Sequence, residues 1–191
     1  MSSNVWPDVP DAVRAQVDAF VAVLREIVGE NLVGVYLHGG VCDGFVSAGQ
    51  TDQIGRVLEF VRRQRVLAGV AGHDVAVPIE CEKVGLKPDF YVKTHNSKSY
   101  WSAGPLPRHD SVWEETPEET RSFMRTVQRP WIAYKVLGAG AIHPREGFTY
   151  AFQSGADFLC VGMFDFQIDE DVVLARAAFT AAKDRQRPWC A

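Results

Sequence analysis

Apolar residues recur along the chain with two alternating spacings, one typical of helices and the other of buried strands. Over residues 10–28 they return every three or four positions, which predicts an amphipathic helix. The run LVGVYLHGG that follows is apolar and ends at paired glycines, which predicts a strand. Thr116, Pro117 and Glu119 form a capping-box pattern at the start of a later helix. The further predicted helices cover 52–64, 78–85, 117–128, 144–153 and 169–183, and the further strands cover 66–74, 89–94, 131–137 and 157–163.

The predicted strands are apolar nearly throughout, which favours a parallel sheet in an α/β protein. We therefore expect consecutive βα units that form a partial TIM-type barrel of five strands, preceded by an N-terminal helix. Residues 1–31 form the predicted helical segment and residues 32–191 the βα-repeat domain. A complete eight-stranded barrel needs roughly 250 residues. An open doubly wound sheet and a barrel completed by oligomerisation are therefore alternatives.

Composition narrows the class of protein. The chain has 191 residues, 47% of them hydrophobic and 23% charged, with a formal net charge of −4. Such mild acidity argues against nucleic-acid binding, which needs a concentrated basic surface. The N-terminus lacks a leader pattern and no apolar run approaches the roughly 20 residues that span a bilayer, so we expect a cytoplasmic protein without membrane contact. The four cysteines are far apart, which favours reduced thiols.

Charged and polar residues follow the predicted strands, where βα units place their chemistry. Two of them are lysines, Lys93 in PDFYVKTH and Lys135 in PWIAYKVLGAG. A desolvated lysine beside a second cation has a lowered pKa and can form a Schiff base with a carbonyl compound. The candidate catalytic residues at the strand ends are Lys93, Lys135, His38, His73, Asp74 and His95.

The two lysine strands resemble those of class I aldolases of the deoxyribose-phosphate aldolase type. The resemblance covers roughly residues 88–164 and rests on PDFYVKTH and YKVLGAGAI. It implies an eight-stranded barrel in which Lys93 forms the Schiff base and Lys135 tunes it. Ala139 separates Gly138 from Gly140 where that family has adjacent glycines. The resemblance implies lyase-type carbonyl chemistry on a small-molecule substrate, with no cofactor.

Glycines near the strand ends suggest that this substrate is phosphorylated. Gly138 and Gly140 follow the predicted strand at 131–137, and Gly162 lies in the segment CVGMFD. Glycine lets backbone N–H groups approach an anion, and helix N-termini favour negative charge. These three glycines are the predicted phosphate-binding positions.

A second hypothesis is a metal-dependent hydrolase of the TIM-barrel type. His38, His73, Asp74 and His95 follow neighbouring strands and carry imidazole and carboxylate groups, which are ligands of catalytic zinc sites. No H-x-H or H-E-x-x-H spacing is present. Our preferred prediction therefore includes no metal.

The N-terminal sequence suggests a third hypothesis. Residues 4–40 resemble the opening helix and strand of aminoglycoside-type nucleotidyltransferases, in which HGS or HGG contacts nucleotide phosphates. That family needs two carboxylates in a DxD pattern for Mg²⁺, whereas this chain has Asp52 followed by Ile54 at the second position. The sequence therefore also admits an inactive fragment or a fusion product. Exposed edges of a five-stranded sheet would favour association, so a homo-oligomer is a further possibility.

Overall fold

The computed structural model describes residues 51–103 and 114–190, together with residues 15, 19, 22, 34 and 35. Ala15, Ala19 and Ala22 are helical and exposed, as the predicted N-terminal helix requires. The remainder of that helix, and the predicted domain boundary between residues 31 and 32, lie outside the described residues.

The described strands form a parallel sheet whose spatial order is the order along the chain. Strands β2 to β5 form a continuous parallel sheet, and the two-residue β1 pairs with β2, also in parallel. The strands are β1 (Gly34–Val35), β2 (Leu67–Gly72), β3 (Phe90–Thr94), β4 (Trp131–Tyr134) and β5 (Phe158–Cys160).

Helices alternate with these strands, which confirms the α/β class and the consecutive βα units. They are α1 (Thr51–Arg63), α2 (Ala76–Lys83), α3 (Pro117–Met124), α4 (Pro144–Ser154) and α5 (Ile168–Ala181). Short 3₁₀ turns cover Gly138–Gly140 and Asp165–Gln167. No helix within the described ranges is both long and apolar enough to cross a lipid bilayer.

The helices pack on one face of the sheet, which we call the helix face. A Cβ added to Gly72 would meet the α2 residue Val77, and the Tyr91 hydroxyl donates to Glu82 at the end of the same helix. Tyr91, Trp131 and other strand residues of this face form one buried core with the helices. The strand members of this core are Ala68, Val70, Tyr91, Trp131 and Ala133.

The intervening strand residues lie on the opposite face, which we call the second face, because successive side chains of a strand alternate. Gly69 pairs with Phe90 and Ala71 with Val92. The Phe90 ring lies over Gly69, 2.2 Å from where a Cβ would stand, so any larger residue at position 69 would displace the ring. The two faces therefore carry separate sets of side chains.

At the amino end of the sheet, a buried arginine joins the C-terminal segment to the starts of two strands. Arg187 Nη1 lies 2.6 Å from Asp157 Oδ2, and the same carboxylate oxygen accepts the Trp131 N–H at 2.9 Å. The guanidinium also donates to the carbonyls of Met124, Val127, Arg129 and Gly155. Because every nitrogen of the guanidinium group has an acceptor, Arg187 holds the C-terminal segment against this end of the sheet.

Candidate functional site

Three polar side chains meet on the second face at the carboxyl end of the sheet. His73 Nδ1 lies 2.7 Å from Thr94 Oγ1 and 2.7 Å from the Tyr134 hydroxyl oxygen. The His73 and Tyr134 rings stack with their centroids 5.3 Å apart. We call His73, Thr94 and Tyr134 the polar row.

Strand register explains why these three residues meet. Thr94 pairs with Tyr134, which in turn pairs with Cys160, and His73 follows the last paired residue of β2. The neighbouring level of the same face consists of Ala71, Val92, Ile132 and Phe158, all apolar. Side chains on the second face therefore change from apolar to polar at the polar row. This row lies at the carboxyl edge of the sheet, where parallel βα proteins bind their substrates.

The polar row combines a fixed hydroxyl with two groups that solvent can reach. Thr94 is fully buried, whereas His73 and Tyr134 are half-buried. Nδ1 carries either one proton or one lone pair, so the ring donates to these hydroxyls or accepts from them according to its tautomer. Imidazole and phenol are both capable of general acid–base catalysis.

Lys93 lies on the helix face, because it pairs with Gly72 and Ala133. Its amine is 2.7 Å from Glu114 Oε2 and donates to the Thr94 carbonyl at 2.7 Å. The side chain is 1% exposed. Burial lowers the pKa of Lys93, while the Glu114 carboxylate opposes that shift.

His95 is buried beside the Lys93–Glu114 pair. Its ring stacks on Tyr150 and meets the edge of Trp131, with centroids 5.0 Å away in both cases. Among the described residues, neither ring nitrogen has a hydrogen-bond partner, since Nδ1 is 3.9 Å from Glu114 Oε2. Burial therefore lowers the pKa of His95. Burial alone would raise the pKa of Glu114, but the neighbouring His95 and Lys93 hold it below its ordinary value.

Lys135 and Asp74 take other positions at the same edge. Lys135 follows β4 with a φ of 57°, and its carbonyl accepts the Asn96 Nδ2–H at 3.1 Å. The exposed Asp74 accepts the Ala76 N–H at 2.8 Å, at the start of α2. The charges that act on the Lys93 amine are those of Glu114 and Asp74, both acidic. Burial lowers the Lys93 pKa, and these two carboxylates oppose that shift. The predicted tuning of Lys93 by Lys135 stays a prediction.

The predicted phosphate-binding glycines occupy two different loops. Gly138, Ala139 and Gly140 have φ values of 51°, 57° and 85°, so the turn is left-handed throughout. The amides of both glycines already donate within this turn, to the Lys135 and Leu137 carbonyls. A Cβ on Gly138 would come within 3.0 Å of the Tyr100 ring. Gly162 is exposed after β5.

A cavity of about 190 Å³ lies beside the left-handed turn. Its polar lining comes from Ser97, Ser99, Glu146 and Tyr150. The Glu146 carboxylate would repel a phosphate there.

The four residues proposed as metal ligands are not assembled in the described structure. His73 belongs to the polar row, His95 is enclosed on the helix face, and His38 lies outside the described residues. Among the residues that the structure describes, no group of three His, Cys, Asp or Glu side chains could hold a metal ion.

The sequence pointed to His73 and placed Thr94 at a strand end without a role, but it did not point to Tyr134 or Glu114. Tyr134 could have been found from the alternation within WIAY, whereas YVKT is buried throughout and gives no such signal for Thr94. Glu114 lies 21 residues after Lys93 and carries no local signal. Comparisons with protein-family models, curated proteins and solved structures match nothing.

Proposed function

We propose that the chain is an enzyme that performs lyase-type carbonyl chemistry on a small substrate at the polar row. The observation that carries this proposal is the His73–Thr94–Tyr134 hydrogen-bonding group at the carboxyl edge. His73 and Tyr134 are half-buried, whereas the Lys93 amine is enclosed. The site is therefore suited to general acid–base catalysis, with His73 as the base and Tyr134 as the acid.

The strand order supports a barrel-type architecture for this enzyme. A doubly wound sheet reverses its strand order at a switch point, and its ligands bind there. The strands described here run in sequence from β1 to β5, with their helix packing on one face. In a partial TIM-type barrel the second face would be the interior, and the polar row would stand at its catalytic mouth.

In the proposed reaction, His73 removes a proton from a carbon next to the substrate carbonyl. The C–H electron pair becomes part of an enolate, whose oxygen receives a proton or a hydrogen bond from Tyr134. The buried Thr94 hydroxyl holds the imidazole at 2.7 Å and so fixes its orientation. In the lyase direction the same enolate forms by cleavage of the bond between the α- and β-carbons: His73 removes the β-hydroxyl proton, the β-carbon becomes a carbonyl carbon, and the C–C electron pair enters the enolate. Without that cleavage, the reverse of proton removal returns a solvent proton to the α-carbon.

This mechanism predicts solvent isotope exchange, which can be measured on simple carbonyl compounds even while the natural substrate is unidentified. Hydroxyacetone, dihydroxyacetone and pyruvate would be incubated with the protein in D₂O and followed by NMR. At least one should exchange its α-protons faster than the buffer control. His73→Gln and Tyr134→Phe should each lower that rate by about 100-fold or more.

Two substitutions elsewhere provide matched controls. Tyr150→Phe removes a half-buried hydroxyl on the helix side, and His143→Asn removes an exposed imidazole while keeping a capping side chain. Both should retain the wild-type rate. Equal loss in the controls, or no loss in the polar-row variants, would refute the assignment.

The buried Lys93 amine supports a second candidate, the Schiff-base aldolase reaction that the sequence resemblance implies. Burial lowers the pKa of Lys93, and a neutral amine is the form that attacks a carbonyl. Borohydride reduction with the same carbonyl compounds, followed by peptide mapping, tests it. An adduct on Lys93 would favour this mechanism over the polar row, whereas unmodified Lys93 alongside active isotope exchange would favour the polar row.

A further inference from the structure

An apolar surface is exposed beyond β5, where the described sheet ends. Within the described ranges β5 pairs only with β4, and its second-face residue Phe158 is 47% exposed, while Val92 on β3 is 1% exposed. Phe164 and Phe166 stack with centroids 5.4 Å apart and are 68% and 79% exposed. Such a cluster of exposed aromatic residues marks an interaction site.

Helix α5, which follows Phe166 in the chain, also exposes apolar residues. The helix buries Asp171, Leu174 and Ala178 against the core, at helical spacing. Ile168, Val172 and Phe179 are exposed at positions i, i+4 and i+11, and Val173 is 66% exposed. Helix α5 therefore presents apolar residues to solvent as well as to the core. We call Phe164, Phe166, Ile168, Val172 and Val173 the α5 patch.

Charges along α5 have the arrangement that a two-fold contact needs. The first turn contains the exposed acids Asp169 and Glu170, and Arg176 lies seven residues after Asp169, two turns along. If two α5 helices pack antiparallel about an axis near Val172 and Val173, each Asp169 faces Arg176 of the second copy. The same symmetry places Phe166 opposite Phe179, and the two helix dipoles oppose each other.

We propose that the α5 patch is a self-association surface, and that its occupant is the α5 patch of a second copy of this chain. The surface is self-complementary in both apolar content and charge, which is what an isologous dimer requires. A purely basic peptide would satisfy the acids of the first turn but would oppose Arg176.

Sedimentation velocity of the full-length chain over a concentration series tests the dimer. The wild type should be a concentration-dependent dimer. Val173→Glu should weaken the dimer by about tenfold or more, because two carboxylates would meet at the axis. Val84→Glu, at a 54% exposed valine after α2, is the matched control and should leave association unchanged.

A charge exchange tests the orientation of the two helices. Asp169→Arg and Arg176→Asp should each weaken the dimer, and the double variant should restore it, because the exchanged pair is again complementary. Thermal melts of the monomeric variants would verify folding. A wild-type monomer at all concentrations, or a dimer insensitive to these substitutions, would overturn the proposal.

Discussion

At the scale of single residues, the alternation of side chains decides which groups share a site. Lys93 and Thr94 are neighbours in sequence, yet Lys93 contacts Glu114 and Thr94 contacts His73. The sequence located both near a strand end but did not assign their faces, because both faces of β3 are apolar further back along the strand. The face assignment required packing information, namely which residues contact the helices.

His95→Phe should change how stability depends on pH. The pKa of His95 is below its ordinary value of 6.5, so below pH 6.5 the unfolded chain binds this proton more readily than the folded chain. The free energy of unfolding should therefore fall with decreasing pH, by up to about 1.4 kcal/mol per pH unit at this site. Phenylalanine would keep the ring contacts and remove this component.

Urea denaturation between pH 7 and pH 5 measures the effect. The free energy of unfolding of His95→Phe should fall less steeply with decreasing pH than that of the wild type. If the curves are extended below the ordinary Glu114 pKa of 4.5, the free energy of unfolding of the wild type should fall further, because the folded-state pKa of Glu114 is also lowered. This fall should be smaller in His95→Phe, which loses the contribution of His95 to that shift. Parallel curves for His95→Phe and the wild type would contradict this assignment.

At the scale of elements, hydrophobic periodicity predicted which segments form helices and strands better than it predicted their ends. The helix at 52–64 was predicted within one residue of α1. The strand at 131–137 instead ends at Tyr134, because Lys135 adopts a left-handed conformation that leaves the sheet. Thr116 makes no side-chain cap, and its own N–H donates to Glu114 at 3.2 Å, so the expected capping box was wrong.

Arg187→Lys should destabilise the attachment of the C-terminal segment to the amino end of the sheet. Lysine keeps the charge but cannot reach the carbonyls that the guanidinium fork satisfies on several sides. We expect a loss of about 3 kcal/mol in the free energy of unfolding. Arg125→Lys, at an exposed arginine after α3, should change it by less than about 0.5 kcal/mol. Equal effects in chemical denaturation would show that the fork geometry is unimportant.

At the scale of the whole molecule, the parallel sheet and βα alternation were predictable, because buried parallel strands have a continuous apolar signature. The association of His73 with Tyr134, 61 positions apart, was not. It depends on the register across β3, and no local pattern encodes register between parallel strands joined by long crossovers. Lys93 and Lys135 were the clearest chemical signal in the sequence. In the structure, however, Lys93 lies on the helix face, where acidic groups act on its amine.

Substrate binding at the polar row, on the second face, can be tested by NMR chemical-shift mapping of labelled protein, titrated with the carbonyl compound that exchanges fastest. We predict that the largest shifts occur at the His73 and Tyr134 rings and at the Thr94 methyl group. Shifts confined to Lys93, His95 and Tyr150 on the helix face, or none at His73, would contradict the account.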